Sequence, residues 1–386
     1  MDRILPKSLN KHWQNTMELI QIILGPRQVG KTTAITTLMD KNHTVYVSAD
    51  SPTPPSSDFI VDHWQKVRSL SSPQKTLILD EVQKIPGWSE VIKKMWDEDK
   101  INNTTFNVWL LGSSSLLIEK GLAESLTGRF ELNHFPHWTF AECQKVFGAS
   151  LYEFATIGGY PKLYDMRDDP ERLNNYVQHS IIEPTLGRDI LSLHAVDKPA
   201  LLRQLFWYVS RLPAQIVSYE KILGHLQGRG NSATLVHYAE LLRLAFIIVP
   251  LSKFSQKAHR TKRSLPKWII PNQALIDPSI KQEALRDFVF ENLVGAHFLN
   301  LLFGSTDYEL TYWREDNDEV DFILTKNNEP VLAIEVKSGR VRGVVSMDLL
   351  KRNGICCPLV VISQKNIEQF LLATSIEEIL ACFLES

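Results

Sequence analysis

Residues Gly25-Pro26-Arg27-Gln28-Val29-Gly30-Lys31-Thr32-Thr33 set two glycines, a lysine and a hydroxyl at the spacing of a phosphate-binding loop. In such a loop the glycines let backbone N–H groups close around phosphate. Lys31 adds charge at the β- and γ-phosphates, and the Thr32 hydroxyl can hold magnesium. ATP and Mg2+ are the ligands this chemistry calls for. Further on, Asp80-Glu81 follows a short apolar run, where Asp80 can support the metal and Glu81 can polarise the attacking water. Ser113, in Gly112-Ser113-Ser114-Ser115, is a candidate for sensing the γ-phosphate, against the alternative of an ordinary serine-rich turn. Arg129 could stabilise charge on a transferring phosphoryl group, in its own subunit or in a neighbour, or could simply pair with surface acids.

A second constellation lies near the C-terminus. Asp321 alternates with apolar residues, and Glu335 and Lys337 stand two apart on the next strand-like run, so that they share a face. With Glu291 on a preceding helix, the set resembles the PD-(D/E)xK nuclease core. That resemblance implies Asp321 and Glu335 as metal ligands, Lys337 as the water-activating or phosphate-steadying cation, and Glu291 as the completing acid. The competing account is a buried ion-pair cluster in a non-cleaving scaffold.

These groups need elements to carry them. Leu19 to Leu24 reads as a buried strand, Lys31 to Met39 as the helix after it, and His43 to Val47, Thr76 to Leu79 and Phe106 to Leu111 as further strands of a parallel sheet wound with helices. Both Gly25 and Asp80 then fall just past strand ends. Residues 149 to 195 read as helical with a Gly158-Gly159-Tyr160-Pro161 break. Short helices from Leu201 to Arg243, a strand at Leu244 to Val249 and another at Trp268 to Ile270 predict a winged helix. Between Leu241 and Ile276 there is no acidic residue, while Arg243, Lys253, Lys257, Arg260, Lys262, Arg263 and Lys267 are basic. The Lys253 to Lys267 hairpin is thus the expected DNA contact, through phosphates rather than base edges. A docking face for a protein partner is the alternative use. Over Arg286 to Asn300 a helix is expected, and over Glu309 to Trp313, Glu319 to Leu324 and Val331 to Val336 strands.

The chain has 386 residues, 44% of them hydrophobic, and a net charge of −2, so no overall field draws it to nucleic acid and any such contact must be local. Four cysteines without a CxxC pair are too sparse for a disulfide framework and read as reduced thiols. No apolar run is long enough for a membrane span, and the expected location is cytoplasmic.

The motifs GPRQVGKTT, LILDEVQKIPGW, LLGSSSLL, LTGR and HFPHWTFAE, followed by GGYP, EPTLGRDI, FENLV, YWR, EVDF and IEVKS, resemble the AAA-type ATPases of bacteria and archaea that carry a C-terminal domain of unknown function. The resemblance implies an AAA+ fold over nearly the whole chain. The resulting expectation is an α/β protein with a P-loop AAA+ domain over 1–148, a helical lid or connector over 149–200, a winged-helix-like segment over 201–271 and a nuclease-like α/β domain over 272–386. ATP hydrolysis would drive movement of the C-terminal module, on DNA or on a protein partner, in a homo-oligomer. An ATP-gated metal-dependent nuclease is the third reading.

Overall fold

The computed structural model describes residues 18–40, 42–72, 74–112, 125–191, 196–226, 230–255, 265–281, 285, 287–316, 318–339 and 345–384. The chain parts into two units, Met1–Phe135 and Pro136–Ser386.

In the first unit, strands β1 (Ile20–Leu24), β2 (Thr44–Ser48), β3 (Thr76–Asp80), β4 (Asn107–Gly112) and β5 (Phe130–His134) form one sheet in the order β5-β1-β4-β3-β2. All neighbouring pairs are parallel. β1, β3 and β4 are buried from end to end. Their sequences accordingly lack the polar alternation of a strand with one wet face. Helices α1 (Lys31–Leu38), α2 (Asp58–Arg68) and α3 (Trp88–Ile101) connect them. α2 contributes Ile60, Trp64 and Val67 to the core, and α3 contributes Ile92, Met95 and Trp96. The buried Asp99 ties these two helices together, accepting from Trp64 Nε1 at 2.6 Å and from Arg68 Nε at 2.7 Å. Because every strand runs the same way and β4 lies between β1 and β3, the segments following these three strands emerge side by side on one edge of the sheet.

The second unit begins with α4 (Phe140–Phe147) and α5 (Leu151–Ile157), each opened by a capping box, Thr139 with Glu142 and Ser150 with Glu153. α6 (Pro170–Tyr176) continues into two widened helical turns, Val177–Ile182 and Thr185–Leu191. Next come α7 (Pro199–Val209), α8 (Tyr219–His225) and α9 (Ser232–Leu244), the last capped by Asn231, whose side chain accepts from the Thr234 N–H. Strands β6 (Val249–Leu251) and β7 (Lys267–Ile269) pair antiparallel, and Ile216 bridges to Lys267 on the other side. The strand expected at Leu244 to Val249 is therefore displaced. Leu244 ends α9, Phe246 takes a left-handed turn at φ +61°, and pairing begins only at Val249. An apolar run shared by a helix tail and a short strand carries no periodicity that separates the two.

The remainder places α10 (Asp287–Leu301) with a four-stranded sheet in the order β11-β10-β9-β8, made of β8 (Tyr308–Glu315), β9 (Asp318–Lys326), β10 (Glu329–Lys337) and β11 (Leu359–Ser363). β8, β9 and β10 are antiparallel neighbours, and β11 lies parallel to β10. The fully buried Asn292 fastens α10 to the end of β7, accepting from the Ile270 N–H at 2.8 Å and donating to the Ile270 carbonyl at 2.9 Å. Helices α11 (Met347–Arg352), α12 (Ile367–Leu372) and α13 (Ile376–Leu384) close the chain. Among the described residues, no helix is long and apolar enough to cross a membrane.

Candidate nucleotide site and a C-terminal charge cluster

The loop after β1 turns through Gln28 at φ +58° and Gly30 at φ +86°, and α1 starts directly from Gly30. Glycine has no side chain to cap the first-turn N–H groups, and that turn holds no acidic residue. A helix start with this character favours an anion. Lys31 is buried and donates to the Gly25 and Pro26 carbonyls at 2.9 and 2.7 Å, which places its ammonium under the loop.

Gly25 has a different reason to be glycine. A Cβ there would lie 2.0 Å from the Phe135 carbonyl oxygen, because the Phe135 N–H donates back to Leu24 at 2.8 Å and brings the chain across the loop's first residue.

Asp80 ends β3 and gathers three donors. Its Oδ2 accepts from Thr32 Oγ1 at 2.9 Å and from the Tyr46 hydroxyl at 2.8 Å, and its Oδ1 accepts from the Glu81 N–H at 2.9 Å. Tyr46 lies on β2, and burial together with this carboxylate raises its pKa well above the ordinary phenol value. Glu81 itself sits in the left-handed region at φ +53°, a conformation that costs a non-glycine residue about 1–3 kcal/mol. Its N–H also donates to the Leu111 carbonyl at the end of β4, and its Oε2 accepts from Gln83 Nε2 at 2.7 Å. Burial raises the Glu81 pKa against the lowering effect of Arg27 and Lys31.

Thr32, Asp80 and Glu81 thus meet on one edge, with Lys31 beneath the loop. Tyr46 and Gln83 belong with them and were missed by sequence reasoning. Only the sheet order reveals Tyr46, since β2 meets β3 with Ser48 beside Asp80. Ser113 lies outside the described residues.

Arg129 stands elsewhere. Its carbonyl accepts from the Ile20 N–H at the start of β1, and its guanidinium makes two bonds to Asp97, at 2.8 and 3.0 Å. The loop leaves the opposite end of β1, a five-residue strand of about 16 Å. Arg129 is therefore on the far edge of the sheet from its own phosphate loop, and the same-subunit role is excluded by the parallel topology. Its bond to Arg129 holds the Asp97 carboxyl below its ordinary pKa.

Glu335 is fully buried, accepts from the Val345 N–H at 2.7 Å and pairs with Lys337 at 2.9 Å. Asp321 accepts from the Val336 N–H at 2.7 Å. Among the described residues, Glu291, Glu319 and Asp321 offer carboxylate oxygens that all lie within 4.8 Å of one another. Lys267 lies among them with no exposure to solvent, its Nζ 2.5 Å from Glu291, 3.0 Å from Glu319 and 3.6 Å from Asp321.

This is a correction to the basic hairpin, because Lys267 belongs to the interior. Arg243 pairs with Glu240 at 2.6 Å, and Lys257, Arg260, Lys262 and Arg263 lie outside the described residues. Desolvation opposes charge on Lys267, but Glu291, Asp321 and Glu319 outweigh it and keep its pKa above the ordinary lysine value. Burial, partly countered by Lys267, pushes Glu291 and Asp321 upward.

Residues 18–144 match the model of an AAA domain. With the parallel sheet and the loop geometry, this makes the first unit a P-loop ATPase domain of the AAA class, and the chain is an ATPase. Residues 148–283 and 286–366 match two domains of unknown function, DUF8612 and DUF4143. Two proteins of Methanocaldococcus jannaschii are similar along most of the chain. MJ1544 is 22% identical over 340 residues, spanning 82% of this chain and 74% of its own length. MJ1637 is 21% identical over 387 residues, spanning 87% and 79%. Among solved structures, the Walker-type ATPase PABY2304 of Pyrococcus abyssi aligns over 72% of this chain and 94% of its own, at 13% identity and a TM-score of 0.49.

Proposed function

We propose that the chain hydrolyses ATP with magnesium at the edge formed by the phosphate loop, Asp80 and Glu81, and that turnover changes how the second unit engages DNA. The observation that carries the catalytic part is the single Asp80 carboxylate oxygen shared by the Thr32 and Tyr46 hydroxyls beside the loop. Backbone N–H groups of residues 25–33 would cradle the phosphates, and Lys31 would exchange its loop carbonyls for the β- and γ-phosphate oxygens. The Thr32 hydroxyl and the Asp80 carboxylate suit a hard, oxygen-ligated cation and would hold it directly and through water. Magnesium held there would supply charge neutralisation for the phosphates. Glu81, its carboxylate held by Gln83, is the general base that orients water. Ser113 is assigned to the γ-phosphate, and Arg129 to the phosphate of a neighbouring subunit in a homo-oligomer, after release from Asp97.

The DNA reading draws on the acid-free segment Leu241 to Ile276 and on the arrangement of α7, α8 and α9 with Ile216, β6 and β7, which has the connectivity of a winged helix. The α10 and β8–β11 layer is read as restriction-nuclease-like. One observation favours the second reading, a nucleotide-gated protein-interaction switch: the exposed face of α9 offers Ala233, Val236, His237, Glu240 and Arg243, and its single arginine is paired with its single acid. The deciding experiment measures ATPase rate and salt-dependent binding with single-stranded, duplex and branched DNA. Stimulation together with affinity that falls steeply with salt supports DNA, and an unchanged rate without salt-sensitive binding transfers the assignment to a protein partner.

A further inference from the structure

The residues around Asp321 do not fit a metal. An oxygen-ligated divalent cation needs its ligands at about 2.0–2.6 Å from one centre with the middle left clear. Here that middle is filled from a different part of the chain. Lys267, on β7 within the segment 148–283, projects among acids of the segment 286–366, from α10 and β9. Its Nζ forms an ion pair with Glu291 Oε1 at 2.5 Å and donates to Glu319 Oε1 at 3.0 Å and to the Asp321 main-chain oxygen at 3.1 Å. The Phe322 and Tyr312 rings lie 5.1 and 5.8 Å from the Nζ and close the surroundings with aromatic faces.

Nor can the lysine swing aside freely. Its backbone is paired to Leu251 on one side and bridged to Ile216 on the other, and Asn292, the residue next to Glu291, locks Ile270 to α10. A divalent cation in the same place would meet a fixed positive charge within the distance of its own ligands.

We propose that Lys267 is a built-in counter-cation standing where a divalent metal would stand, so that this unit takes no metal and cuts no nucleic acid, and that removing the lysine charge turns Glu291, Glu319 and Asp321 into a divalent-cation site. The proposal concerns the triad itself and draws only its comparison from the nuclease-like reading. It is independent of ATP turnover.

The test uses the full chain without nucleotide and Mn2+ alone as probe, with free Mn2+ followed by electron paramagnetic resonance. Lys267→Met is expected to bind one Mn2+ more per chain than wild type, at least tenfold tighter than any Mn2+ bound through these acids in wild type. Lys267→Met combined with Asp321→Asn is expected to lose it. Mn2+ should also raise the melting temperature of Lys267→Met and leave that of the double variant unchanged. A folded Lys267→Met that gains no Mn2+ overturns the proposal. Should Lys267→Met fail to fold, wild type and Asp321→Asn decide it. Identical Mn2+ isotherms and an uncut supercoiled plasmid support it, and Mn2+ binding or nicking that Asp321→Asn removes overturns it. Because no nucleotide is present, either outcome leaves the ATPase assignment to its own assays.

Discussion

Gly25→Ala tests whether the phosphate loop is shaped by packing as well as by its ligand. The added methyl would sit 2.0 Å from the Phe135 carbonyl oxygen and 3.0 Å from its carbon, both backbone atoms that cannot rotate away. Relief requires Phe135 to move by about 1 Å, which strains the 2.8 Å bond from its N–H to Leu24 and the buried Phe135 ring. Overpacking costs about 1–3 kcal/mol and a weakened hydrogen bond about 1 kcal/mol, together about 2–4 kcal/mol. For a unit of this size that lowers the melting temperature by about 10 °C. Gly30→Ala is the control: a Cβ there meets nothing within 4 Å, and only the left-handed φ of +86° is penalised, by about 1–2 kcal/mol. Differential scanning calorimetry and titration of a fluorescent ATP analogue read both quantities. Gly25→Ala should melt lower than Gly30→Ala and lose affinity for the analogue. A Gly25→Ala protein that melts and binds like wild type refutes the reasoning.

Tyr46→Phe removes one of the two hydroxyls on Asp80 Oδ2 and leaves Thr32 in place. Steady-state kinetics should show kcat reduced about fivefold, from a bond of about 1 kcal/mol, with little change in KM; a change in KM alone contradicts the assignment. His297 is buried, and burial depresses its pKa to about 3. A depressed value means that the unfolded chain takes up a proton near pH 6.5 that the folded chain refuses, so stability is complete above that pH and is lost as pH falls toward 3. Between pH 7.5 and 5 the loss is about 2 kcal/mol, and His297→Phe should remove that increment from the pH dependence of urea unfolding. An unchanged slope would assign the acid sensitivity to other groups.

The first unit was legible because its signals are local. A glycine-lysine turn between a buried run and a helix, and an acid after another buried run, need only strand order to come together. Tyr46 was not legible, since a tyrosine in a strand carries no mark of the carboxylate that the neighbouring strand sets beside it. Arg129 was legible only as a choice between its own subunit, a neighbour and a surface acid, because its proximity to the motifs in sequence says nothing about which edge of the sheet it occupies. Lys267 is the clearest case. As one of several cations in an acid-free stretch it read as surface, and only the pairing of β7 and the clamp at Asn292 bring it onto acids some twenty to fifty residues away. Glu319 escaped notice because a glutamate at the start of a strand is ordinary until an ammonium is found against it.

The central claim is ATP turnover by the loop, Asp80 and Glu81 acting as one site, and it is met most directly by measuring ATP binding and phosphate release for wild type, Lys31→Ala and Glu81→Gln. Lys31→Ala is expected to show no binding, and Glu81→Gln wild-type binding with turnover reduced by roughly 10²–10⁴-fold. Glu81→Gln turning over at the wild-type rate would contradict the claim.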